Sequence, residues 1–126
     1  MGAYLEDGGL NYAPVVEAVL HNPLRTRLVR LKLLIDTGFQ GSVLIPLSEY
    51  LKLGLNLFEE GEAVAVAAAG AEVRLRVARG ILEIEGVGME CRVYTTLGVR
   101  RALLGREVLK RLGMLYKPPD TLRIPL

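Results

Sequence analysis

The sequence predicts an all-β domain. Three observations carry that prediction. Apolar and polar residues alternate with a period of two through most of the chain, Gly and Pro break those runs at short intervals, and helical spacing is convincing only once, near the end. The 126 residues suffice for one domain with a real core. No repeat, low-complexity segment or linker divides them, so residues 1–126 read as a single domain.

The elements follow in order. APVVEAVL (13–20) is rich in Val and ends at His-Asn-Pro, a turn signal that assigns His21 to a loop. In RTRLVRLKLLI (25–35) Val29, Leu31, Leu33 and Ile35 share one parity, which predicts a strand with one buried face and a hairpin with the run before it. SVLIP (42–46) predicts a short buried strand that Pro46 stops, and LSEYLKLGL (47–55) a helical turn ending at Gly54.

EAVAVAAAGAEVRLRVARG (62–80) is rich enough in Ala to suggest a helix. Its period-2 pattern and its glycine favour a hairpin, with a small-residue tip at Ala68, Ala69 and Gly70. ILEIEG (81–86) and MECRVYTTL (89–97) read as two further strands around Gly-Val-Gly. REVLKRL has helical spacing, with Val108, Leu109 and Leu112 on one side and Gly113 as a stop. The tail DTLRIPL (120–126) alternates, and Pro125 puts it at an edge.

Composition narrows the function. The net charge of +2 is too mild to demand nucleic acid or an acidic membrane, and the arginines of 74–79 have no interleaved aromatics to stack bases. They read as a solvated strand face. No uncharged apolar stretch approaches the roughly 18 residues of a membrane helix. The acidic start resembles neither a signal peptide nor a myristoylation site, and the lone Cys91 makes no internal disulfide, so the expected compartment is the cytoplasm. One His and one Cys do not build a Cys/His zinc site, and there is no phosphate-binding loop. No metal or cofactor is expected.

One stretch stands out. In LLIDTGFQGS (33–42) an apolar strand runs straight into Asp36, where a charge is costly unless it is partnered or does chemistry. Alone, Asp36-Thr37-Gly38 also fits a capped turn, with Asp accepting backbone N–H bonds and Gly supplying conformational freedom. The second half of the chain adds ALLGREVLKRLGM, two apolar residues and Gly105 leading into the helix.

Together, LLIDTGFQGSVLIP and ALLGREVLKRLGM resemble the retropepsin-like aspartic proteases, over about residues 13 to 115. The DTGF variant looks like the prokaryotic branch. The resemblance implies an acid-protease half-barrel that works as a two-fold homodimer. It makes Asp36 the general acid or base, Thr37 a link between the two loops, and Gly38 the residue that leaves room for substrate backbone. Phe39, Gln40 and the flap tip Ala68, Ala69 and Gly70 would contact an extended peptide, while Leu104, Gly105 and Arg106 support the loop.

The chemistry has a physical rationale. Two carboxylates about 3 Å apart share one proton, so one acts as acid and the other as base around a water. The chain has three aspartates, and neither Asp7 nor Asp120 repeats the loop, so one chain supplies half a site. Retroviral members carry an acid two residues after the loop glycine, paired with the Arg that follows the second apolar-apolar-Gly. Here Arg106 is in place but Gln40 stands at the acid's position, leaving Glu107 or the other subunit to serve Arg106. Phe39 replaces a small residue and is expected to pack in the core or fill a pocket. The leading expectation is an aspartic endopeptidase acting on peptides or unfolded protein. The alternative is a peptide-binding or assembly module that uses the same cleft without hydrolysis.

Overall fold

In this computed structural model, which describes residues 2–6, 11–67 and 69–126, alternating runs pair into one eight-stranded sheet. Its strands are β1 (Ala3–Glu6), β2 (Ala13–His21), β3 (Leu28–Ile35), β4 (Val43–Leu44), β5 (Glu59–Val66), β6 (Glu72–Ile84), β7 (Val87–Thr95) and β8 (Leu103–Leu104), in the order β1-β2-β3-β8-β4-β7-β6-β5. A small hairpin of β9 (Leu115–Lys117) and β10 (Thr121–Arg123) forms a second, two-stranded sheet, with β10 packed near β1. The expected helical turn resolves into α1 (Leu47–Lys52) and a 3-10 turn at Leu55–Leu57, and the expected late helix is α2 (Arg106–Leu112).

The core is made by the inward parities. Leu33 and Ile35 of β3 are buried while Arg30 and Lys32 point out, and Met89, Cys91, Val93 and Thr95 of β7 alternate with exposed Glu90 and Arg92. Tyr50, Leu53 and Leu55 close the core from the helical side and Val108 from α2.

Three differences from the sequence reading have physical causes. Residues 72–84 form one strand instead of two. Gly80 is no turn: a Cβ there would stand 2.8 Å from Val93 Cγ2 and 3.2 Å from the His21 carbonyl oxygen, so the glycine lets β6 lie against both β7 and β2. The turn that follows is Glu85-Gly86, both at positive φ, which suits a tight hairpin, and Val87 and Gly88 already belong to β7. His21 is the last residue of β2, buried, with Nε2 2.5 Å from Glu83 Oε1. Asn22 forms the turn beyond it. Its amide donates to Thr26 Oγ1 and to the Leu53 carbonyl, tying the β2–β3 turn to the end of α1.

Candidate active site

Asp36 follows β3 directly, and backbone bonds on three sides fix it. Leu34 N–H donates to the Ala102 carbonyl (3.0 Å) and Asp36 N–H to the Leu104 carbonyl (2.9 Å), so parallel β8 carries the strand to its end. The chain then turns sharply, and Phe39 N–H donates to the Asp36 carbonyl at 3.1 Å. Gly38 N–H donates to Asp36 Oδ1 at 2.8 Å, which satisfies one carboxylate oxygen and orients the group. Asp36 is half-buried and Thr37 and Gly38 are exposed. The carboxylate at the end of an apolar strand is therefore partnered locally and still open on one side.

Leu104-Gly105-Arg106 holds the loop from behind. Gly105 N–H donates to the Ser42 carbonyl (2.8 Å), and Arg106 N–H to the Phe39 carbonyl (2.9 Å). Leu104 is fully buried beside Val43 of β4. The Arg106 side chain is exposed, and among the described residues no carboxylate lies within 4.0 Å of it; Glu107 pairs with Lys110 at 3.3 Å instead.

β5 and β6 form the expected hairpin, closed by Gly70 N–H donating to the Ala67 carbonyl (2.8 Å) and Ala67 N–H to the Ala71 carbonyl (2.9 Å). Ala69 and Gly70 are exposed at its tip, and Gly70 has φ +83°. Ala68 lies outside the described residues. The hairpin's arginines are paired to its own acids: Arg76 to Glu59 at 2.6 Å, Arg79 to Glu60 at 3.1 Å and Arg74 to Glu62 at 4.0 Å.

At the hairpin's base, Tyr50 Oη donates to Glu59 Oε2 (2.8 Å) and the Arg76 guanidinium stacks 5.4 Å from the Tyr50 ring centre. Arg76 holds the Glu59 carboxyl below the usual carboxylate range, and burial together with Glu59 pushes the Tyr50 hydroxyl up. The pairing also shifts register between Glu59 and Glu62, where Gly61 has φ +86°, so a bulge separates the base from the arms.

Between the loop and this hairpin lies a cleft of about 600 Å³. Gly38, Phe39 and Gln40 form one wall, Ala63–Val66 of β5 another, and Tyr94 stands between them. Phe39 is half-buried and meets Tyr94 edge to face, ring centres 5.7 Å apart at 87°. It packs on a neighbour and lines the cleft at once, outside the buried core. Asp36 itself, Ala69 and Gly70 are not among the lining residues. Sequence reasoning passed over Tyr94, Arg92 and Arg111, and assigned Arg79 to a solvated strand face. The alternation of 89–97 was the available signal, because it puts Glu90, Arg92 and Tyr94 on one exposed face. Among the described residues, no three His, Cys, Asp or Glu side chains converge as a metal site would need, and no helix is long and apolar enough to cross a membrane.

Two solved structures superpose on this fold over most of the chain. EIAV protease in complex with an inhibitor superposes with a TM-score of 0.59 at 19% identity, over 86% of this chain and 95% of that one. A retropepsin-like aspartic protease from Rickettsia conorii gives 0.62 at 15% identity, over 95% of this chain and 86% of that one. No protein-family model matches the chain, and no curated protein sequence does. The chain has the retropepsin-like fold.

Proposed function

We propose that the protein is a homodimeric aspartic endopeptidase acting on peptides or unfolded protein, a reading we place in the cytoplasm. The observation that carries it is the set of Asp36 contacts. A half-open carboxylate, oriented by the Gly38 N–H and braced by β8, sits beside a cleft roofed by a hairpin. The sequence contains the Asp-Thr-Gly loop once, so a second copy of the chain supplies the second carboxylate, Asp36 facing Asp36 across a two-fold axis.

In that arrangement the ionised Asp36 takes a proton from a water lying between the pair. The water oxygen bonds to the peptide carbonyl carbon, and the protonated Asp36 gives its proton to the carbonyl oxygen. The C–N bond then breaks as the nitrogen takes the proton from the Asp36 that had received it from the water, while the other Asp36 takes a hydroxyl proton from the gem-diol, which restores the pair. Thr37 bonds across the axis. Gly38, Phe39 and Gln40 line one side of the extended peptide, and the tip at Ala68, Ala69 and Gly70 closes over it. Leu104, Gly105 and Arg106 keep the loop in place.

The test is cleavage of a diverse peptide pool between about pH 3 and 7, wild type beside Asp36→Asn, with oligomer size recorded for both. Cleavage by the wild-type dimer, lost in a folded Asp36→Asn dimer, is the expected result. No cleavage by a folded wild-type dimer at any pH would remove the peptidase reading.

A further inference from the structure

The far end of the cleft is charged in an unusual way. Arg79 of β6, Arg92 of β7 and Arg111 of α2 all line it, together with Glu90 and Glu107. The β6–β7 register sets Arg79 directly opposite Arg92. Like charges in a cross-strand pair are destabilising, so this end of the cleft calls for anions.

Among the described residues, the anions within the chain answer only Arg79 of these three. Glu60 takes two bonds from Arg79, at 3.1 and 3.3 Å. Glu107 is held by Lys110. Arg111 donates through Nη1 to the neutral Glu90 carbonyl at 3.0 Å. Among the described residues, no carboxylate lies within 4.0 Å of Arg92 or Arg111. Glu90 is the one carboxylate of the lining without a cation inside that distance, so two guanidiniums face a single exposed acid. Each guanidinium keeps donors free, in the planar geometry that suits a carboxylate.

Resting on the peptidase reading, we propose that Arg92, with Arg111 and Arg79 beside it, forms a carboxylate subsite that selects substrates with an Asp or Glu side chain at a position away from the scissile bond. The apolar wall of Phe39, Tyr94 and Leu75 takes the neighbouring uncharged side chains. The two properties belong to different stretches of one extended peptide, which lays successive side chains along the groove at about 3.3 Å per residue.

The test uses end-blocked peptides that differ at one position at a time, carrying Glu, Gln or Lys there. At one position, kcat/KM is expected to fall in the order Glu, Gln, Lys, with Glu over Lys by about tenfold, the size of one charge-assisted contact. Arg92→Glu reverses that order, and added salt narrows the gap. A parallel set with free C-termini separates a side-chain carboxylate from a terminal one. A preference seen only with the free end overturns the side-chain assignment. So does a flat profile at every position, or an order unchanged by Arg92→Glu. If the wild type cleaves none of these peptides, the peptidase reading fails on its own account. Binding of the same labelled peptides to Asp36→Asn, read by fluorescence anisotropy, then decides the subsite. Tighter binding of Glu than Lys peptides upholds it, and equal or absent binding overturns it.

Discussion

Gly105 and Gly41 meet backbone to backbone: a Cβ built on Gly105 would stand 2.1 Å from the Gly41 carbonyl oxygen. Phe39 is close as well, with its Cδ2 at 2.6 Å and its carbonyl oxygen at 2.7 Å. Gly105 has φ −103°, which any residue adopts, so space and not conformation demands the glycine. The two oxygens are main-chain atoms of the Asp36 loop's own continuation, and they do not swing aside as the Phe39 ring could.

Gly105→Ala is therefore expected to cost about 3 kcal/mol, at the upper end for overpacking, because the loop and α2 must part to admit the methyl group. Urea denaturation beside the wild type reads this directly. A variant within about 0.5 kcal/mol of wild type, the scale of neutral surface changes, would mean that the loop is not wedged against α2 as described.

The hairpin's base should respond to acid. Arg76 above all holds the Glu59 carboxyl below its ordinary value. A carboxyl depressed in the folded state stabilises that state above its unfolded pKa and loses the contribution as pH falls through the folded one. The base is then tight at neutral pH and loosens below about pH 4, where carboxylates protonate. Amide exchange across residues 62–76 is expected to be slow at pH 7 and, after correction for intrinsic rates, less protected at pH 3. Glu59→Gln should show the reduced protection already at pH 7. Equal protection in both proteins at both pH values would remove Glu59 as the anchor.

Cys91 borders the cleft, yet only 7% of it is exposed. Burial pushes its thiol up to about 12, against the smaller opposing pull of Arg111 and Arg79. The thiol stays protonated at neutral pH and should be a poor nucleophile. Alkylation by iodoacetamide at pH 8 is expected to be at least about 100-fold slower in the folded protein than in urea, given a thiolate fraction set by a pKa near 12 instead of about 8.5. Labelling at similar rates in both states would show that the cleft opens to Cys91 far more than this structure has it.

Much of the fold was legible because it is local. Val29 to Ile35 and Met89 to Thr95 write their buried faces as simple alternation, and the paired Leu103-Leu104 ahead of Gly105 marks the segment that braces the Asp36 loop. What escaped depends on partners distant in sequence. β1 is four residues long and exists as a strand because Ala3–Glu6 finds the edge of β2 at residues 13–16. His21 sits beside Asn-Pro, a turn signal, but its place in β2 is set by Glu83, 62 positions away. β9 is a strand because Leu115–Lys117 pairs with the tail. Gly80 shows the same limit from another side, since a glycine between two alternating runs marks either a turn or a close crossing, and only the neighbouring strands decide which.

The unbroken course of β6 makes the roof of the cleft a cantilever. The beam is clamped where β7 grips it, from Ile84 up to the Arg76–Thr95 pair, and β2 reinforces the grip at Ile81–Glu83. Beyond Arg76, among the described residues, β5 is the only strand paired with it, so the stretch of β6 outside the clamp is Glu72–Leu75, about 13 Å at strand spacing. The clamp's outermost point is also the residue bonded to Glu59 and stacked on Tyr50. Whatever loosens that point moves the fulcrum inward and lengthens the beam. The reach of the hairpin is thus set at its root, by a contact far from its tip.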